Sequence, residues 1–249
     1  MKLESSETKL TLSTFALFFI LGSWNLWAAT GDLKISGVQG EVEVQSVGSA
    51  AWSAGSKDQI LSEGDRVKTG SGGFAVLEMA GYGRLNLASD TEVKVNKKQI
   101  QGKMIDAEID IVVGSLQGEL KKLPKGSNFK FKTPVSVAAV RGTSFLINVS
   151  QTGAVTTYVS SGQVSVESIS TGQTTVVSSG QAVVATATGV QAMDPNSAEF
   201  AAVVQVYTTV VNLAVTVAPE ATTAAPSGAE PAAAPAPTVD SQKVASPSA

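Results

Sequence analysis

The chain has 249 residues and a net charge of −3, and 43% of it is hydrophobic, enough to bury a core along most of its length. It contains no His and no Cys, which excludes disulfides, thiolate nucleophiles, imidazole bases and the zinc sites built from either. Residues 32–141 carry 15 basic and 13 acidic side chains, whereas from Thr143 onward one Lys stands against six acids, and neither balance is the basic excess of a nucleic-acid footprint.

From Leu10 to Gly31 there is no charged residue, and the apolar run Phe15–Leu21 is followed by the small pair Ala28 and Ala29. An apolar stretch ahead of small residues is the pattern of a secretory leader, so a signal peptide is expected over 1–29. Leu26 or Trp27 stands at the −3 position, and Glu4 and Glu7 offset Lys2 and Lys9. An uncleaved N-terminal membrane anchor is therefore the alternative, since about 20 uncharged residues just span a bilayer. Without Cys there is no lipoprotein attachment. On either reading the remainder is expected outside the cytoplasm, in the periplasm or at the cell surface.

Residues 30–190 read as short strands. GEVEV at 40–44, RLNL at 84–87, EVKV at 92–95, DAEIDI at 106–111 and FKFK at 129–132 alternate polar and apolar. Period-two alternation places one face in a core and the other in water. Glycines punctuate these runs, from Gly64 to Gly126. Many short strands with frequent turn signals predict an all-β architecture, whether sandwich, barrel or β-solenoid. VSSGQ at 159–163 returns at 177–181, each copy leading into a valine-rich strand, which suits a wound β-domain. Between Gly142 and Met193 Glu167 is the single charge, so the exposed face there is expected to be rich in hydroxyls.

The pattern changes at Asp194-Pro195, a good N-cap followed by a residue favoured in the first helical turn. Phe200, Val203, Val204, Tyr207, Val210, Val211 and Ala214 then recur at helical spacing, predicting an amphipathic helix within 194–217 whose apolar stripe docks on the β-domain. From 218 to 249 Ala and Pro dominate, the composition of a disordered tail serving as spacer or tether.

No motif supports catalysis, a cofactor or a metal. Gly70–Gly73 lacks the Gly-Lys-Ser/Thr ending of a phosphate loop, and Gly81-Tyr-Gly83 is too short for a dinucleotide fingerprint, so both read as turns. Asp106, Glu108 and Asp110 share one strand face, which reads as a solvated face before it reads as a calcium site. Lys121, Lys122, Lys125, Lys130, Lys132 and Arg141 form a basic cluster with no acid among them in sequence. It is either a solvated face or a contact for an anionic lipid, glycan or acidic protein.

The run TPVSVAAVRGTSFLINV, Thr133 to Val149, places a lone Arg141 and Gly142-Thr143 between two apolar strands. Gly142 can take the positive φ of a sharp bend. The Arg141 guanidinium is expected to cap loop carbonyls or to pair with a carboxylate such as Asp65, with ligand contact as the alternative.

This run closely resembles the signature of FecR-domain proteins of the bacterial envelope. The resemblance continues through Leu61–Gly70 (LSEGDRVKTG), Gly73–Met79 (GFAVLEM), Leu85–Val95 (LNLASDTEVKV), Gly114–Gly118 (GSLQG), Gly162–Val166 (GQVSV) and Ser179–Gln181, covering roughly 37–185. It implies a β-solenoid-like or sandwich fold and a place outside the cytoplasm. The chain departs from the family at Ala80-Gly81, where Asp-Gly is common, and at Ser144, where Arg-Gly-Thr is usually followed by Glu. The iron–citrate regulators that named the family carry a cytoplasmic anti-sigma segment, and only about nine residues precede the apolar leader here, so sigma-factor control in cis is not expected. What is expected is a non-catalytic module contacting an envelope protein, glycan or small ligand, or else a scaffolding component or a regulator in trans.

Overall fold

The computed structural model describes residues 32–218; the expected leader and the Ala/Pro-rich tail lie outside them. Strands make up 54% of the described residues, and a single helix follows them, which fixes the class as all-β with one helical appendage.

Two sheets face each other, and the chain winds back and forth between them. In the first half, β1 (Leu33–Gln39) lies in sheet A, and β2 (Val42–Gln45) and β3 (Ser53–Ala54) in sheet B. β4 (Ile60–Leu61) returns to A and β5 (Arg66–Thr69) to B. The hairpin β6 (Phe74–Met79) and β7 (Gly83–Leu87) lies in A, then β8 (Glu92–Gln101) in B.

The long strand β9 (Met104–Leu120) belongs to both sheets. Its first part pairs with β8 and its last with β7, and the change of layer falls at Gly114. Gly114 has φ +96°, and a Cβ there would stand 2.5 Å from the Thr91 Cα, so only glycine fits the crossing. Thr91 Oγ1 accepts from Ser115 N at 2.9 Å and holds the bend.

The second half repeats a hairpin at each visit. β10 (Asn128–Lys132) and β11 (Ser136–Val140) lie in B, β12 (Ser144–Val149) and β13 (Val155–Ser161) in A. β14 (Gln163–Ser168) and β15 (Thr174–Ser178) return to B, and β16 (Gln181–Thr186) and β17 (Gly189–Ala192) close sheet A. Every pairing is antiparallel except β9 with β10. The sandwich stays open, because the end strands β3, β4, β15 and β17 each have one neighbour among the described residues.

The VSSGQ repeat has a structural meaning. One copy is the crossing from β13 to β14, A to B, and the other the crossing from β15 to β16, B to A. The copies stack: Gly180 N donates to Val159 O at 2.7 Å, and Ser179 Oγ donates to Ser160 O at 2.7 Å.

The core fills the space between the layers. Leu33, Ile35, Leu77 and Ile147 come from sheet A, Val44, Val67, Ile109 and Val166 from sheet B, all essentially inaccessible. Phe131 of sheet B meets Phe145 of sheet A edge-on at 5.1 Å, a favourable aromatic geometry.

Helix α1 (Ala198–Val217) crosses the outer face of sheet A. The expected docking is found, but the cap differs from the reading at Asp194: Ser197 is the N-cap, its Oγ accepting from Phe200 N at 3.1 Å. Asp194 instead holds a preceding turn through Asn196 N. Phe200, Val203, Val204 and Tyr207 pack on Leu146, Tyr158 and Ala182, while Val210 and Ala214 pack on Phe74 and Val76. Twenty residues rise about 30 Å, which matches the seven strands from β16 to β1 at about 4.8 Å spacing. By length and composition α1 is also apolar enough to cross a membrane.

Candidate functional site

Arg141-Gly142-Thr143 is the crossing from β11 to β12, the point where the chain steps from sheet B to sheet A. Gly142 has φ +68°, and an added Cβ would lie 3.0 Å from the Lys122 Cα, so the backbone of loop 121–127 passes directly against it. Thr143 is buried, its carbonyl accepting from Leu120 N at 2.9 Å. Its methyl group faces the next crossing at Gly162. Arg141 Nε donates to Leu123 O at 3.1 Å, which fastens the same loop from its other side.

One expected role for Arg141 is therefore found, the capping of a loop carbonyl, and the other is not. Asp65 is buried in the turn before β5, where Oδ1 accepts from Val47 N and Oδ2 from Ser62 N, both at 2.8 Å. Its oxygens are engaged by backbone amides, so it clamps two loops and leaves no pairing with Arg141. Arg141 itself is exposed rather than enclosed between the apolar strands.

The structure divides the basic cluster. Lys122, Lys125 and Arg141 converge with Leu120 and Gly142 on an open cleft of about 550 Å³, and no acidic side chain lines it. Lys121 points the other way, into a depression of about 680 Å³ with Glu119, Arg84, Lys34 and Asp58, where Lys34 and Asp58 pair at 3.2 Å. Adjacent residues of an extended segment face opposite sides, so Lys121 and Lys122 cannot share a surface.

Lys130 and Lys132 belong to a third surface, the outer face of sheet B. Parallel pairing sets Lys130 beside Glu108 and Lys132 beside Asp110, with Lys94 on the far side of Asp110. Lys97 donates to Asp106 at 2.5 Å, and that bond raises its ammonium above the ordinary lysine range. Asp110 is pushed up by burial, against the pull of Lys132. The three carboxylates are thus interleaved with ammonium groups, and no metal-holding cluster occurs among the described residues. Gly70–Gly73 and Gly81 lie in the turns flanking β6, as their sequences suggested.

Two arrangements were not foreseen. Trp52, next to β3, lies under Lys68 at 4.5 Å and Arg66 at 5.4 Å, a cation–π stack at the opposite end of sheet B from β15. Beneath α1, Asn86 donates to Gln117, Gln117 Nε2 donates to Gly118 O at 3.1 Å, and the Ser144 and Tyr207 hydroxyls meet at 2.8 Å. Asn86 and Gln117 sit at polar positions of alternating strands, yet they are buried because a helix some 80 to 130 residues later covers them.

Residues 65–165 match the family model described as FecR protein. No curated protein matches the chain. Two crystal structures of a candidate anti-sigma factor from Parabacteroides distasonis ATCC 8503, at 1.65 and 2.50 Å resolution, align at 14% identity and a TM-score of 0.45. The alignments cover 60% of this chain and 73% and 72% of those chains, a likeness too slight to carry argument about function.

Proposed function

We infer that this chain, whose residues 65–165 carry a FecR-type domain, is a non-catalytic binding module working outside the cytoplasm, with the cleft of Lys122, Lys125 and Arg141 receiving an acidic partner. The observation that carries the reading is the convergence of three cations from two segments on a cleft without a single acid. Several other cations of the described surface pair with carboxylates: Lys34 with Asp58, Lys68 with Glu43, Lys97 with Asp106, and Lys98 with Asp32. A group of like charges left without counter-charges attracts an anionic ligand and steers it in.

The cleft sits on the Arg-Gly-Thr crossing that carries the family resemblance, so one short motif shapes both the fold and the site. Arg141 anchors the loop through Nε and keeps its remaining guanidinium donors for a carboxylate, a geometry suited to bidentate contact. The leader expected over 1–29 supports a place in the periplasm or at the cell surface, where acidic proteins and uronate-bearing glycans are available partners.

The test is fluorescence anisotropy of the full chain with labelled poly-glutamate and with polygalacturonate, against the Lys122→Ala/Lys125→Ala/Arg141→Ala variant. Saturable binding that weakens with salt and is lost in the triple variant supports the reading. Equal binding by both proteins, or none by either, sinks it. Inertness toward both probes favours the scaffolding alternative.

A further inference from the structure

Sheet B ends at β15 and sheet A at β17, and the two edges lie at the same end of the sandwich, β14 against β17 and β15 against β16 across the layers. Among the described residues nothing pairs with the outer side of either strand. An edge strand presents a row of free N–H and C=O groups, and proteins blunt such edges with charges, prolines or very short strands. The opposite end follows that rule: β3 and β4 are each two residues long, and Lys57 and Asp58 occupy the turn between them.

The β15/β17 end does not follow it. From Ser168 to Met193 there is neither a charged residue nor a proline. β15 runs five residues, its central Val176 is 58% exposed, and Ile169 at the turn before it is 50% exposed. The points where the described chain begins and ends, Asp32 and Ala218, both lie by β1, far across sheet A from β17.

We propose that this edge pairs with a second copy of the chain, β15 antiparallel to β15 about a two-fold axis at Val176. On such an axis Val176 meets its own counterpart while Thr175 meets Val177 and Thr174 meets Ser178, so a charge at the centre repels itself. A neutral strand of Thr, Val and Ser is free of that penalty, whereas a partner of different sequence would be selected by charges this edge lacks. A two-fold perpendicular to the layers also sets the two β17 edges facing each other, so both sheets run on through the dimer. One five-residue pairing is small beside the roughly 1,200–2,000 Å² of a stable interface, and the second edge brings the contact toward that size. The inference is independent of the cationic cleft, which lies on another surface.

Sedimentation equilibrium of the full chain, from micromolar to millimolar, reads the proposal. The wild type is expected to show a monomer–dimer equilibrium. Val176→Lys and Val176→Asp, substitutions at an exposed position, are each expected to weaken dimerisation about tenfold or more while keeping the wild-type circular dichroism spectrum. Mixing the two variants restores a dimer, because Lys then meets Asp across the axis, a rescue that general loss of structure cannot give. A wild type that stays monomeric, a charged variant that dimerises undiminished, or a mixture that fails to dimerise overturns the proposal. Capture of a different protein by a monomeric wild type overturns it as well.

Discussion

Sheets A and B are built from the same kinds of strand, yet one is covered on both faces and the other on one. Sheet A packs the core on one side and α1 on the other, so β6 is buried at five of its six positions. Sheet B keeps its outer face in water, and β2, β5, β10 and the first part of β9 alternate buried with accessible residues. The difference teaches where recognition can occur. α1 takes much of the outer face of sheet A out of play, which leaves the loops, the outer face of sheet B and the free edges accessible.

The largest expected effect compares one substitution on the two outer faces. Leu146→Asp buries a carboxylate under α1, where Leu146 is 1% exposed, and should cost about 3–5 kcal/mol in chemical denaturation while releasing the helix to proteolysis. Ala139→Asp, on the exposed face of sheet B beside Lys130, should change stability by no more than about 0.5 kcal/mol. Equal costs would break the comparison.

Gly142→Ala comes next. It forces a Cβ toward Lys122 at positive φ and should cost about 1–3 kcal/mol, with the cleft distorted and anion binding reduced together. Tyr207→Phe removes the hydroxyl that meets Ser144 under the helix, for about 0.5–1.5 kcal/mol. Arg141→Ala gives up one hydrogen bond from an exposed side chain, so its cost in stability should be about 0.5–1 kcal/mol, whereas its effect on binding should be the larger. A cost well above that would make Arg141 a structural fastener first.

The smallest effect is a pH dependence on sheet B. Burial raises the Asp110 carboxyl in the folded state, so the folded chain holds that proton more tightly than the unfolded one. Stability from this group is therefore present at acid pH and falls as pH rises from the ordinary Asp range through the raised folded value. Asp110→Asn should raise stability slightly at neutral pH, by at most a few tenths of a kcal/mol given solvent screening, and the gain should vanish in acid. A gain that persists there would point to packing instead.

The two sheets also explain what was legible in the sequence. Four of the five alternating runs, at 40–44, 92–95, 106–111 and 129–132, are strands of sheet B, where alternation and burial coincide. The fifth, at 84–87, is β7 of sheet A, where Asn86 looked solvent-facing and is covered by a helix that forms more than a hundred residues later. The Arg141 crossing was legible because a positive-φ glycine between apolar strands is a local signal. Its partner was not: whether a guanidinium reaches a carbonyl of Leu123 or the carboxylate of Asp65 depends on how loops 18 and 76 residues away fold back. The lysines misled for a simpler reason, since closeness in sequence does not decide which side of an extended segment a charge occupies.

The most direct measurement is a backbone amide NMR titration of the full chain with a short poly-glutamate peptide. The account predicts saturable shifts confined to 120–126 and 141–144, with the outer face of sheet B and the α1 face unmoved. Shifts centred on the Lys94–Asp110–Lys132 row instead, or spread evenly over the surface, would contradict it.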